Sequence, residues 1–104
     1  MDDGFGIRVE QDGQGPIVRV TGEIDLQTVD RLRECLLGFS DPVVTVDFRG
    51  VSFMDGIGMN ALVAAQQRVR ERGGKFVLYG VRPSQMRALD AVDLTTYFDS
   101  IVPD

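Results

Sequence analysis

The chain has 104 residues, 43% apolar and 26% charged, which suits one small globular domain and leaves no room for two. With 11 basic against 16 acidic residues its formal charge is −5, a balance that disfavours nucleic acid as a primary partner because phosphate neutralisation needs a basic surface. Histidine is absent, which removes His-based triads, the usual acid or base near neutral pH and most zinc sites.

A core of this size needs no staples, and the lone Cys35 can form no internal disulfide, so a reducing cytoplasm is the simplest home. The opening MDDGFGIRVE lacks a basic start followed by an apolar run, and no segment approaches the roughly 18 to 20 apolar residues of a membrane span. The expectation is a soluble, cytoplasmic protein with no membrane or nucleic-acid partner.

In chain order, Phe5 to Gln11 comes first: Phe5, Ile7 and Val9 alternate with Gly6, Arg8 and Glu10, the period of two of a half-buried strand. QDGQGP supplies turn chemistry, and Ile17, Val18 and Val20 resume a strand to Thr21-Gly22, so a hairpin is expected. Asp25 stands where a helix N-cap would stand, followed by Val29, Leu32, Leu36 and Phe39 on one helical face, with a stop near Gly38. Cys35 beside that stripe reads as a small buried hydrophobe.

Val43 to Phe48 is β-branched and apolar on nearly both faces, as a central strand would be. After Asp55-Gly56, Met59, Leu62, Val63 and Val69 share a helical face, and Gly73-Gly74 closes that helix. Arg68, Arg70, Arg72 and Lys75, with Glu71 among them, read as a solvated surface. Lys75 to Val81 returns as a strand, Pro83 and Ser84 open a third helix through Met86, Leu89 and Val92, and Tyr97 to Val102 offers a short last strand. The predicted fold class is α/β: a single small domain over residues 1–104, its mixed β-sheet starting with a hairpin and continuing in β-α-β units with right-handed crossovers, its helices mainly on one face.

The stretch VVTVDFRGVSFMDGIGM, from Val43 to Met59, carries most functional information, because a strand feeding a helix N-terminus gathers unpaired N–H groups and the positive end of a helix dipole. Asp25, Asp47 and Asp55 are carboxylates a hard cation could use, but no loop alternates oxygen ligands and no glycine-rich loop ends in Lys-Ser or Lys-Thr. Capping and surface solvation are their simpler roles, and no cofactor, metal site or catalytic residue is expected.

Three segments together carry a family resemblance: Gly22-Glu23-Ile24-Asp25, the run from Asp47 to Gly58, and Gly73-Gly74 before a strand. They resemble the STAS domain of bacterial anti-sigma factor antagonists, over essentially the whole chain. In that family a loop like Asp-Ser-Ser-Gly opens the second helix, and its second serine is phosphorylated by the anti-sigma factor, itself a protein kinase. Unphosphorylated antagonist binds the kinase and frees the sigma factor. Placed residue by residue, Asp55 matches the aspartate, Gly56 falls at the first serine, Ile57 at the phosphorylated serine and Gly58 at the glycine.

The resemblance therefore implies a non-catalytic binding module whose phosphoacceptor is missing, docking an anti-sigma factor of the serine kinase type through Asp25, Asp55, Gly56, Ile57, Gly58 and Met59. Ile57 reads either as an apolar residue tucked under the helix start or as an exposed partner contact. Ser52, close by, reads as structural. The alternative is a STAS scaffold or regulatory domain that has lost antagonist activity and binds other STAS or sensor proteins. An enzyme or small-ligand binder is the minority reading, since no nucleophile or base stands near the Asp55 turn.

Overall fold

The computed structural model describes residues 4–104. β1 (Gly6–Gln11) and β2 (Pro16–Ile24) form the expected antiparallel hairpin, with Ile7 opposite Val20 and Val9 opposite Val18. The turn between them is closed by Asp12, whose carboxylate accepts from the backbone N–H groups of Gln14 and Gly15 at 2.7 and 3.1 Å. β3 (Val43–Met54), β4 (Lys75–Val81) and β5 (Ser100–Pro103) then add in parallel, giving one mixed sheet in the order β1-β2-β3-β4-β5. The Val43 strand is its middle, as its apolar character on both faces predicts.

Between the parallel strands lie α1 (Val29–Leu37), α2 (Gly56–Glu71) and α3 (Pro83–Ala91). Alternation sends Val18, Val20, Val44, Val46, Phe76 and Leu78 to one face of the sheet, where they are almost fully buried. Leu32 and Leu36 from α1, Leu62 and Val69 from α2, and Leu89 from α3 join the same core. Each such side chain contributes about 1.5–3 kcal/mol by leaving water. The opposite face carries Arg8, Arg19, Thr45, Asp47, Arg49 and Tyr79, which line shallow clefts on its surface.

The structure departs from sequence expectation in three places. β3 runs six residues past Phe48, because irregularities in its register with β2, between Arg19 and Thr21 and between Gly22 and Glu23, let the ladder continue beyond Gly50 to Met54. Gly22, at φ +89°, lies so close to Gly4 that an added Cβ would come 2.6 Å from the Gly4 carbonyl oxygen, so this bend requires glycine. α1 begins at Val29 with Thr28 as its N-cap, so Asp25 is not the cap. α3 starts behind Arg82, whose N–H donates to Gln85 Oε1 at 2.9 Å, with Pro83 in its first turn; Ser84 is inside the helix.

Candidate partner-binding site

The start of α2 is built by Asp55. Its backbone is extended, and Oδ1 accepts from the N–H groups of Ile57 at 3.0 Å and Gly58 at 3.1 Å, the arrangement of a carboxylate N-cap. The carbonyl of Asp55 accepts from Met59 N at 3.1 Å, the first helical bond, while Asp55 N donates to the Ile24 carbonyl at 3.3 Å. The cap is thereby tied to the end of β2. Gly58 fixes the same junction by its lack of a side chain: a Cβ there would lie 2.7 Å from Ile24 Cγ2 and 2.8 Å from Met54 Cγ. Gly56 meets nothing within 4 Å.

Asp25 follows Ile24 directly, so the two aspartates predicted for the site stand on neighbouring loops. Its Oδ1 accepts from Gln27 N at 2.9 Å, and its carbonyl accepts from Thr28 N and Val29 N at 3.2 and 2.8 Å. Thr28 Oγ1 accepts from Asp25 N at 3.0 Å and donates to the Glu23 carbonyl at 2.7 Å. These bonds close a turn ahead of α1 and push Leu26 outward, 72% exposed. Asp25 thus shapes a loop where a helix cap was expected.

Ile57 is exposed, at 36%, which resolves its two readings toward the surface. It borders a cleft of about 440 Å³ shared with Met59 and Asn60 on α2 and with Val92 and Leu94 after α3. Met59 is buried and Val92 is 54% exposed. The contribution of Val92 and Leu94 escapes a linear reading: they lie more than thirty residues from Ile57, and Val92 continues the apolar stripe of α3. Ser52 is exposed on β3. Among the described residues no three His, Cys, Asp or Glu side chains gather as a metal ion would need, and no helix is long and apolar enough to cross a membrane.

The polar chemistry of the molecule concentrates elsewhere, on the open face of the sheet. Asp47 is only 4% exposed, yet its carboxylate receives Arg19 Nη1 at 2.5 Å, Arg49 Nη2 at 2.9 Å and the Arg49 backbone N–H at 2.9 Å. Burial pushes its pKa up, but the hydrogen bonds and charges of Arg49 and Arg19 outweigh this and hold it below the usual carboxylate range. Arg19 also reaches Glu10 at 3.0 Å, and that hydrogen bond lowers the Glu10 pKa. Of the basic residues around the end of α2, Arg70 pairs with Asp99 at 2.9 Å and Arg72 donates to the Asp41 carbonyl at 3.0 Å. They are structural ties on a solvated surface. Burial raises the Cys35 thiol pKa, which suits a packing residue better than a nucleophile.

The whole frame, a hairpin followed by β-α-β units with a capped helix start at Asp55, matches a known family along its length: the model of the STAS domain covers residues 6–103. The chain belongs to the STAS domain family. It is 26% identical over 97 residues to the anti-sigma-B factor antagonist of Bacillus subtilis (strain 168), a match spanning 91% of this chain and 89% of that protein. Its fold superposes on the crystal structure of an anti-sigma factor antagonist from Mycobacterium paratuberculosis with a TM-score of 0.84 at 24% identity, over 97% of this chain and 88% of that one. It also resembles the Bacillus cell fate determinant SpoIIAA in its phosphorylated form, with a TM-score of 0.69 at 17% identity over 91% and 90% of the two chains. The last two likenesses are of fold. In this STAS domain the loops at the carboxyl ends of β2 and β3 form the surface just described.

Proposed function

We propose that this STAS domain is an anti-sigma factor antagonist that docks an anti-sigma factor of the serine kinase type through the loop from Asp55 to Met59 and the adjoining Asp25 turn, and that it is not switched by phosphorylation at that loop. The observation that carries the reading is the exposed Ile57 on a helix start held rigid by Asp55 and Gly58. A preorganised loop loses little entropy on docking, and an apolar side chain at its tip gains about 1–2 kcal/mol on burial in a dry pocket. Kinship with the B. subtilis antagonist supports the choice of partner.

The absence of switching follows from chemistry. Isoleucine has no oxygen to accept a phosphoryl group, and Gly56 offers none either. In a switched antagonist a phosphate would add about −1.5 to −2 charge at the docking surface and oppose binding by repulsion and desolvation. Here control falls to expression level, a modification elsewhere, or competition among antagonists.

The test is to mix the purified chain with the serine-kinase anti-sigma factors of its source organism, with and without magnesium ATP, and to read complex and phosphate by mass spectrometry. A complex of equal amount in both conditions, with no phosphate on this chain, is expected. Phosphate on Ser52 with loss of the complex would show a displaced switch. No complex with any such kinase would defeat the reading in favour of a scaffold.

A further inference from the structure

The cleft beside Ile57 has a composition that says what kind of surface fills it. Three segments adjoin in turn at this end of the molecule: residues 23–30 meet 53–60 at the end of the β2–β3 ladder, and 53–60 meet 90–96 across the cleft. Together they hold Glu23, Asp25, Asp30, Asp55, Asp90 and Asp93, and not one Lys or Arg. Of these acids only Asp30 has a cationic partner among the described ion pairs, Arg33 at 2.6 Å. Within this acidic setting stand Leu26, Ile57 and Val92, all exposed, with Met59 and Leu94 lining the cleft. Elsewhere among the described residues Asp47, Glu10 and Asp99 are each bonded to arginine, and the other acids, Asp12, Glu34, Asp41, Glu71 and Asp104, are spread singly among basic residues or at the chain end instead of around this cleft.

We infer that the cleft between the start of α2 and the segment after α3 seats an apolar side chain of the anti-sigma factor, and that the partner surface around that side chain is basic. This extends the docking reading above, and rests on it, by adding Val92, Leu94 and Asp93 to the interface and by fixing the sign of the partner's charge. An isologous contact with a second copy would bring acid against acid around the same apolar patch, which like-charge repulsion opposes. A basic rim on the partner gains from the same charges and is steered toward them, so association slows as salt rises.

The experiment is a titration of the purified serine-kinase anti-sigma factors of the source organism against the wild-type chain, Val92→Lys, Val92→Ala and Asp93→Asn, with Ile57→Lys as the control on the docking surface. Val92 is exposed, and Asp93 has φ 59°, a conformation asparagine also adopts, so thermal melts of these variants should match wild type. Val92→Lys should weaken binding about tenfold or more and Val92→Ala about threefold, as for loss of a central apolar contact with or without added repulsion. Asp93→Asn should slow association about twofold, and raised salt should slow the wild type.

If Ile57→Lys weakens binding while both Val92 variants bind as wild type, the docking surface stands and the cleft is not part of it, which overturns the inference alone. If Val92→Lys binds more tightly, the partner surface is acidic and the inference falls. Concentration-dependent sedimentation of the wild type that Val92→Lys abolishes would make a second copy the occupant, with the same consequence. If no kinase binds the wild type, or Ile57→Lys changes nothing, the docking reading fails and takes this inference with it.

Discussion

The open face of the sheet and the loop end at α2 are both polar surfaces of one small domain, but they handle their chemistry in opposite ways. On the sheet, Asp47, Arg19, Glu10 and Arg49 bond one another, so the groups that could recognise a ligand are already occupied internally. At the loop end, Asp55 and Asp25 direct their carboxylates to backbone N–H groups, and apolar Leu26, Ile57 and Val92 stand exposed around them. Self-satisfied polarity marks the first as part of the fold; exposed apolar area on a capped helix start is the feature on which the docking proposal for the second rests.

The largest expected effect breaks the first region. Asp47→Ala leaves Arg19 and Arg49 facing each other across a vacated, largely buried position, and should destabilise the domain by about 2–3 kcal/mol in urea unfolding, below the full cost of a deeply buried pair because both arginines reach solvent. The acid limb should report the same group. The folded pKa of Asp47 lies below its unfolded value, so the unfolded chain binds the proton more readily: its stabilisation is fully present above about pH 4 and is lost as pH falls through the folded pKa. Wild type should therefore lose stability over that acid range more steeply than Asp47→Ala. Equal slopes would mean that Asp47 contributes no charge-dependent stability.

A pair of glycine substitutions sharpens the second region. Gly58→Ala pushes a methyl group against Ile24 and Met54 and should cost about 1–2 kcal/mol after the gain in helix propensity is counted. Gly56→Ala meets open space at the first helical position, and should be neutral or stabilise by up to about 1 kcal/mol. Thermal melts of the two variants should move in different directions; a shared loss would mean that the backbone at Gly56 is as constrained as at Gly58. Next in size, Asp55→Ala removes the two bonds that cap α2 and should cost about 1 kcal/mol, with Asp55→Asn recovering most of it.

Much of this arrangement is legible in the sequence, and the limits are physical. β4 spans Lys75–Val81 as its pattern predicts, and the Asp55 cap follows from a local rule in which the accepting carboxylate and the donating N–H groups lie two or three residues apart. Local rules mislead at Asp25, where Thr28 offers a competing hydroxyl three residues on and the chain makes a turn before it makes a helix. The β-branched run stops at Phe48, but register slips against β2 carry the ladder past it to Met54. Only the Asp47–Arg49 half of the cluster lies on a single strand; Arg19 reaches it through the parallel pairing of β2 with β3, across 28 positions of chain. Val92 escapes for the same reason: its neighbourhood with Ile57 is tertiary.

The smallest effect on stability carries the most information about function. Ile57 is exposed and its N–H, not its side chain, is what Asp55 binds, so Ile57→Ser should shift stability by no more than about 0.5 kcal/mol. It restores a hydroxyl two residues after the capping aspartate, at the point where the family resemblance places the phosphoacceptor. With a binding anti-sigma kinase and magnesium ATP, the variant should become phosphorylated at residue 57 and leave the complex, while the wild-type chain stays bound. Binding without modification would mean that the kinase grips this loop in a register that does not present residue 57 to its active site, and the likeness to a switched antagonist would then extend to the fold and not to the docked geometry.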